Sequence, residues 1–229
     1  MKLLKKTYKN KLIFSTKDEN FTLLQKIINN DFNILKKYKD DNRTFVAKIE
    51  INNKFYLLKK NFPRKKIKQF LTFFKDGECL TTLKNVECLR IEKKVNELVP
   101  CLGVIETRKN NIITEEILIM EFCEGKKPET QKDFLEILTA LNKIYKYNRF
   151  HGDCNPNNFI IESETNNIKI IDTKLKPMWF GNYRKHFDYM VFKKHLPQQI
   201  KYPYHKNIYY YFALFIRKIR DFKNKFEKE

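Results

Sequence analysis

The stretch from Phe150 to Thr173 constrains this chain more than any other, because it sets three hard-oxygen side chains at fixed offsets around two short apolar runs. It runs His151-Gly152-Asp153-Cys154-Asn155-Pro156-Asn157-Asn158, then Phe159 to Ile161, a polar connection, and Ile168 to Ile171 ahead of Asp172-Thr173. Pro156 and its polar neighbours exclude a helix there. Residues 158–161 and 168–171 read as two strands paired across residues 162–167, a hairpin that brings both its polar ends to one edge. Asp153 and Asn158 are five residues apart, and Asp172 lies nineteen beyond Asp153. Asp beside Asn and Pro is by itself an ordinary turn. Two carboxylates and an amide at this spacing are instead ligands for a hard cation such as Mg2+, and they suit a phosphoryl transfer, where positioning and charge neutralisation carry most of the rate.

His151-Gly152-Asp153 and Ile171-Asp172-Thr173 resemble the small-molecule branch of the protein-kinase-like superfamily. That branch has His-Gly-Asp where protein kinases have His-Arg-Asp, and Ile-Asp plus a variable residue where they have Asp-Phe-Gly. Within it, Lys54 to Pro63, Phe74 to Glu78, Leu118 to Gly125 and the loop itself are similar to the bacterial lipopolysaccharide core heptose(II) kinase family, over roughly Arg43 to Thr173. The resemblance implies an α+β, two-lobed protein-kinase-like fold, with an antiparallel N-lobe sheet in residues 1–121 and a small, mostly helical C-lobe in 122–229. It implies ATP and Mg2+ as cofactors and a core saccharide as acceptor, phosphorylated at the cytoplasmic face of the inner membrane. By the same resemblance Asp153 deprotonates the acceptor hydroxyl, Asn158 and Asp172 hold Mg2+, Lys59 holds nucleotide phosphates and Glu78 positions Lys59. Met120 would guard the back of the adenine pocket, with the main chain of Glu121 and Cys123 at the adenine edge. The chain departs from the kinase pattern in lacking a Gly-x-Gly-x-x-Gly, so another loop, such as residues 40–43, has to cover the phosphates. Two rival readings stay open: a kinase of another small molecule, aminoglycoside-like or choline-like, and a non-enzymatic polyanion binder.

Composition narrows the classes. With 229 residues and 42% hydrophobic content the chain is long and apolar enough for a sizeable core, which argues against disorder. Five cysteines without Cys-x-x-Cys spacing offer neither a disulfide framework nor a zinc site, as expected for a reducing cytoplasm. The basic N-terminus has no apolar signal core after it, and no run approaches a membrane span, so neither secretion nor integral insertion is expected. The net charge of +20 predicts attraction to polyanions, anionic lipid and phosphorylated saccharide among them. Nothing resembles a nucleic-acid-binding module. Half of that excess lies in residues 173–229, which carry 14 basic and 4 acidic side chains.

Taken in order, residues 7–14 read as a strand, Asn20 to Asn29 as a helix, and Thr44 to Ile51 with Lys54 to Lys59 as a hairpin turning on Asn52-Asn53. Lys59 and its neighbour Lys60 must then point to opposite faces, and only one can serve the phosphates. Pro63 fits a helix start. Ile67, Phe70, Leu71 and Phe74 follow at helical spacing, and extending the stripe puts Glu78 on a buried face, where its carboxylate needs a partner such as Lys59. Glu87 is a second choice. Residues 64–68 crowd positive charge into that helix's first turn, as a solvated face or an anion site. Residues 98–105 and 112–122 read as strands, the second interrupted by Glu115-Glu116. Thr130 and Asp133 form a capping box ahead of a stripe from Phe134 to Tyr145. His151 reads as a brace for the loop. The 57 residues after Asp172 are too few for a full protein-kinase C-lobe, which argues against a protein substrate. Ile208, Phe212, Phe215, Ile219, Phe222 and Phe226 make a basic amphipathic helix that either covers the core or lies on an anionic membrane surface.

Overall fold

Asparagine does in this chain the work that glycine does in most. Tight two-residue hairpin turns require positive φ, and with only five glycines the chain meets that demand at Lys9-Asn10, Asn52-Asn53 and Asn110-Asn111, whose φ values lie between 47° and 61°. A computed structural model describes residues 1–63, 66–196 and 200–226. They divide into two compact units, Met1–Cys123 and Glu124–Glu229.

The first unit contains β1 (Leu4–Tyr8), β2 (Lys11–Ser15), α1 (Asn20–Ile28), β3 (Asn33–Asp40), β4 (Thr44–Ile51), β5 (Lys54–Asn61), α2 (Lys66–Leu71), α3 (Glu78–Glu87), β6 (Cys101–Lys109) and β7 (Ile112–Glu121). Its strands form one antiparallel sheet in the order β1-β2-β6-β7-β5-β4-β3. The asparagine turns join β1 to β2, β4 to β5 and β6 to β7, so three hairpins account for six of the seven strands. Phe21, Leu24 and Ile27 of α1 pack on one sheet face against Ile13, Ala47, Ile49, Leu58, Ile105, Ile117 and Ile119. Cys79, Leu80, Leu83 and Val86 are the buried side of α3, which contacts β6 and β7.

Two expectations change here, and one strand, β3, is new. Residues 7–14 are a hairpin and not one strand, because Lys9 and Asn10 take the left-handed turn. β3, which carries Lys36, Lys37, Lys39 and Asp40, is exposed along its whole length; its charges and two register shifts blunt the free edge of the sheet. The stripe from Ile67 to Phe74 is not buried: Ile67, Phe70, Leu71 and Phe74 are all exposed, and α2 stops at Leu71. Arg64 and Lys65, the head of the basic cluster, lie outside the described residues.

The second unit contains β8 (Gly125–Lys126), α4 (Gln131–Lys146), β9 (Arg149–Phe150), β10 (Phe159–Glu162), β11 (Ile168–Ile170), β12 (Lys176–Pro177), α5 (Tyr183–Phe192) and α6 (Ile208–Phe226). The capping box is present: Thr130 Oγ1 accepts from the Asp133 N–H at 3.2 Å, and Asp133 Oδ2 accepts from the Thr130 N–H at 2.8 Å. Phe134, Ile137, Leu138, Leu141, Ile144 and Tyr145 of α4 are buried, as the stripe predicts. β10 and β11 pair antiparallel with Phe159 opposite Ile170, and β8 closes the other side of β10. Helix α5 is almost wholly buried, while α6 lies against it through Tyr210, Ala213, Leu214 and Ile216.

Candidate active site

The loop between β9 and β10 is held from inside the second unit by one carboxylate. Asp188 of α5 accepts from the main-chain N–H of His151 at 2.8 Å and of Gly152 at 3.1 Å, and Tyr145 donates its hydroxyl to it at 3.4 Å. Complete burial pushes Asp188 up to about 7, although both backbone donors and the Tyr145 hydroxyl favour the charged form. Gly152 has φ +88°, a conformation that a side chain would strain, and this bend presents both donors to one acceptor.

His151 is fully buried, its ring 5.2 Å from that of Phe159. Burial holds it neutral, down to about 4, against an opposing pull from Asp172. Its Nδ1 accepts from the Asp153 N–H at 3.2 Å, which leaves the proton on Nε2, a buried atom with no partner among the described residues. Its carbonyl accepts from Thr173 Oγ1 at 3.2 Å and from the Lys174 N–H at 3.4 Å. The bracing role read from the sequence is what these bonds perform: the ring of His151 holds Asp153 ahead of the strand hairpin, and its main-chain carbonyl holds Thr173 and Lys174 after it.

Asp153, exposed at the loop's tip, is fixed through its main chain. Its carbonyl accepts from Asn158 Nδ2 at 2.8 Å, so the amide nitrogen is spent inside the loop and Oδ1 is the atom available to a cation. Asn155 Oδ1 accepts from the Asn157 N–H at 3.0 Å, which sets the single tight turn at Pro156–Asn158. The carbonyl of Asn158 accepts from the Ile171 N–H at 2.9 Å, extending the hairpin by one bond beyond Phe159 and Ile170. Asn158 and Asp172 therefore flank the same end of that hairpin. Asp172 is exposed, with φ +50°. No cluster of three His, Cys, Asp or Glu side chains that could hold a metal exists among the described residues. One amide and one carboxylate fit Mg2+ in its usual protein setting, where substrate phosphates and water complete the octahedron.

In the first unit, Lys59 lies opposite Leu118 and Lys60 opposite Ile117. Ile117 belongs to the α1-side core, so Lys60 shares that face, where its Nζ lies 6.0 Å from the Phe45 ring. Lys59 lies on the opposite face with Asn61, whose Nδ2 donates to Cys79 Sγ of α3 at 3.3 Å. Burial raises the Cys79 thiol most, Glu116 raises it further, Lys59 pulls it down and Glu78 pushes it up. Lys59 and Glu78 thus both bear on one buried sulfur.

Glu78 is not where the extended stripe puts it. It is exposed and opens α3 as a new helix after the turn at residues 72–77. The cause is Glu116 of β7, a buried carboxylate that accepts from the N–H groups of Glu78 at 3.0 Å and Cys79 at 2.9 Å and so fixes where the helix begins. Gly77 lies so close to that carboxylate that any Cβ would collide with it. Glu87, the second choice, is buried and engaged elsewhere, with Arg90 at 3.0 Å and the Cys101 N–H at 2.8 Å. Met120 is buried at the end of β7, Glu121 is exposed, and the chain leaves the ladder after Glu121 and before Cys123.

Sequence reasoning did not assign Asp188 or Glu116. The signal the sequence carries for each is an acid inside an apolar run, Asp188 between Phe187 and Tyr189 and Glu116 before Ile117. That pattern means a buried carboxylate in need of donors, here backbone N–H groups that no motif announces.

Glu116 titrates within reach of experiment. Burial first, then the neighbouring Glu106, raise it to about 7 from 4.5. A carboxyl whose folded value exceeds its unfolded one stabilises below the unfolded value, and that contribution is lost as pH rises through the folded one. The wild-type melting temperature minus that of Glu116→Gln should therefore decline between pH 4.5 and pH 7 and level off above it. Taking the difference cancels His151, which acts in the opposite sense below pH 6.5. A difference independent of pH would show that Glu116 stays ionised throughout.

An antiparallel sheet carrying Lys59 beside α3, and a mostly helical unit carrying a braced Asp153 loop and the Asn158–Asp172 hairpin, define a protein-kinase-like α+β fold. The chain belongs to the lipopolysaccharide core biosynthesis protein (WaaY) family, whose sequence model matches residues 2–228. It is also similar to mouse sperm motility kinases 2B and 3A, at 31% identity over 116 residues, 43% of this chain and 22% of theirs. The chain thus spans about a fifth of the length of these curated relatives. Among solved structures, vaccinia related kinase 3 aligns with 63% of this chain and 47% of its own, at TM-score 0.38 and 13% identity.

Proposed function

We propose that this protein transfers the γ-phosphoryl group of ATP to a sugar hydroxyl of the lipopolysaccharide inner core, on a heptose, at the cytoplasmic face of the inner membrane. The observation that carries the reading is the loop itself: Asp188 holds the N–H groups of His151 and Gly152, while His151 and Asn158 hold Asp153 through its main chain and leave its carboxylate exposed, beside the hairpin end that bears Asn158 and Asp172. Family membership supports the acceptor class.

In this mechanism Asp153 accepts the proton of the attacking hydroxyl and orients its oxygen. Asn158 Oδ1 and the Asp172 carboxylate hold Mg2+. When bound there, the ion would supply positive charge to the nucleotide's phosphates. Lys59 contributes a fixed positive charge to the same phosphates, and Glu78 positions Lys59. Met120 backs the adenine, whose edge meets the main chain of Glu121 and Cys123. Without a glycine-rich loop, the turn between β3 and β4 covers the phosphates; Asp41 Oδ1 stiffens it by accepting from the Arg43 and Thr44 N–H groups at 2.8 and 2.7 Å.

The lysine assignment separates cleanly from its neighbour. Lys59→Met is expected to lower kcat/KM for ATP about 10²-fold, and Lys60→Met to leave it within about twofold. Mg2+ with ATP should raise the melting temperature of the wild type, since a ligand selective for the folded state stabilises it. Equal kinetic losses at the two lysines, or no thermal shift with nucleotide, would overturn the reading.

A further inference from the structure

The most apolar stripe of the last helix faces away from the protein. α6 packs on Tyr183, Phe187 and Met190 through the side that bears Tyr210 and Ala213, and Arg220 lies over the Phe187 ring at 5.8 Å. Phe215, Ile219 and Phe222 are each more than half exposed on the opposite side, in line with Ile208 and Phe212. Side chains beyond Phe222 lie outside the described residues. The row from 208 to 222 extends for about 21 Å along the helix.

A second element continues this surface. Trp179 is 81% exposed and Phe180 75%, on the loop that leads into α5. That loop is seated on the first turn of α6: the Tyr209 ring fills the space a side chain at Gly181 would need, and Tyr183 meets Phe212 edge-on at 5.1 Å. Exposed aromatic and aliphatic side chains on one continuous surface are unusual unless something covers them.

We infer that this surface, the outward stripe of α6 with Trp179 and Phe180, docks onto an anionic lipid bilayer. Charge selects the occupant. Residues 173–229 hold 14 basic and 4 acidic side chains, and one of the four acids, Asp188, is buried under the loop. A second copy would bring the same excess of positive charge to the contact, and repulsion disfavours it. An anionic leaflet attracts such a segment, takes Trp and Tyr at headgroup depth and receives the apolar stripe in its acyl boundary. Among the described residues no helix is long and apolar enough to cross a membrane, so the contact is one of lying on the surface. This docking does not depend on the phosphotransferase reading and is measured without nucleotide or acceptor.

Trp179 is the sole tryptophan of the chain, so the protein carries its own probe within the proposed contact. With vesicles of phosphatidylcholine and phosphatidylglycerol, its emission should shift to the blue and become shielded from acrylamide, and high salt should reverse both effects. Vesicles of phosphatidylcholine alone should leave it unchanged. Phe215→Glu combined with Ile219→Glu should weaken vesicle binding about tenfold or more at unchanged circular dichroism. No shift on anionic vesicles would overturn the inference. So would the same shift on neutral ones, or a shift that grows with protein concentration in the absence of lipid, which would assign the surface to a second copy.

Discussion

Asp153→Asn is expected to cut phosphate transfer about 10³-fold while moving the melting temperature by no more than about 1 °C. The two halves of that expectation have separate causes. The carboxylate is exposed, and the loop is held by main-chain bonds from Asp153 N–H to His151 and from Asn158 to the Asp153 carbonyl, which an asparagine keeps intact. What the substitution removes is the capacity to accept the proton of the attacking hydroxyl. The loss should fall on kcat with KM for ATP little changed, because no contact to nucleotide is assigned to this side chain. Steady-state kinetics alongside thermal melts check both halves. A variant that retains wild-type kcat would remove Asp153 from the chemistry, and one that melts early would make its role structural.

Asp188→Ala is expected to have the largest effect on stability. It strips the buried N–H of His151 and the part-buried N–H of Gly152 of their shared acceptor, at about 1–3 kcal/mol for a fully buried group and less for the other, and leaves a void beside Tyr145. A loss of about 2–5 kcal/mol corresponds to a fall in melting temperature of roughly 5–15 °C for a chain of this length. Asp188→Asn keeps one acceptor oxygen and should fall between the two. Asp188 touches neither nucleotide nor acceptor in the proposed mechanism; it positions the loop that does. In folded Asp188→Asn, kcat should accordingly drop more than either KM, whereas a residue that only supports the core would leave the kinetics of the folded fraction unchanged. An alanine variant that melts with the wild type would show that the loop is held by other means.

The features that sequence made legible are those whose determinants are local. Asn52-Asn53 forms its turn by tolerating positive φ, Thr130 caps its helix with Asp133 three residues on, and the β10–β11 pairing follows from two apolar runs around a polar connection. The placement of Asn158 and Asp172 at one end of that hairpin is legible for the same reason. What escaped was decided by partners distant in sequence. α3 begins at Glu78 because Glu116, 38 residues on, supplies the acceptor for its first N–H groups. The apolar periodicity across residues 67–78 gave no sign of that break. β3 has no alternation to read, since its ladder bonds to β4 hold it and all its side chains face water. Helix α6 inverts the usual rule, for its smaller and more mixed side is buried and its most apolar side is exposed. Periodicity finds such a helix but cannot say which side is covered.

One transfer decides whether the protein is the proposed kinase. Incubation of the purified protein with Mg2+, ATP labelled at the γ-phosphate and a heptose-containing lipopolysaccharide core saccharide should move the label onto the saccharide, with the new phosphate monoester on a heptose by nuclear magnetic resonance and no transfer by Asp153→Asn. A saccharide that stays unlabelled under conditions where the protein is folded, or labelling that proceeds equally well with the Asp153→Asn variant, would contradict it.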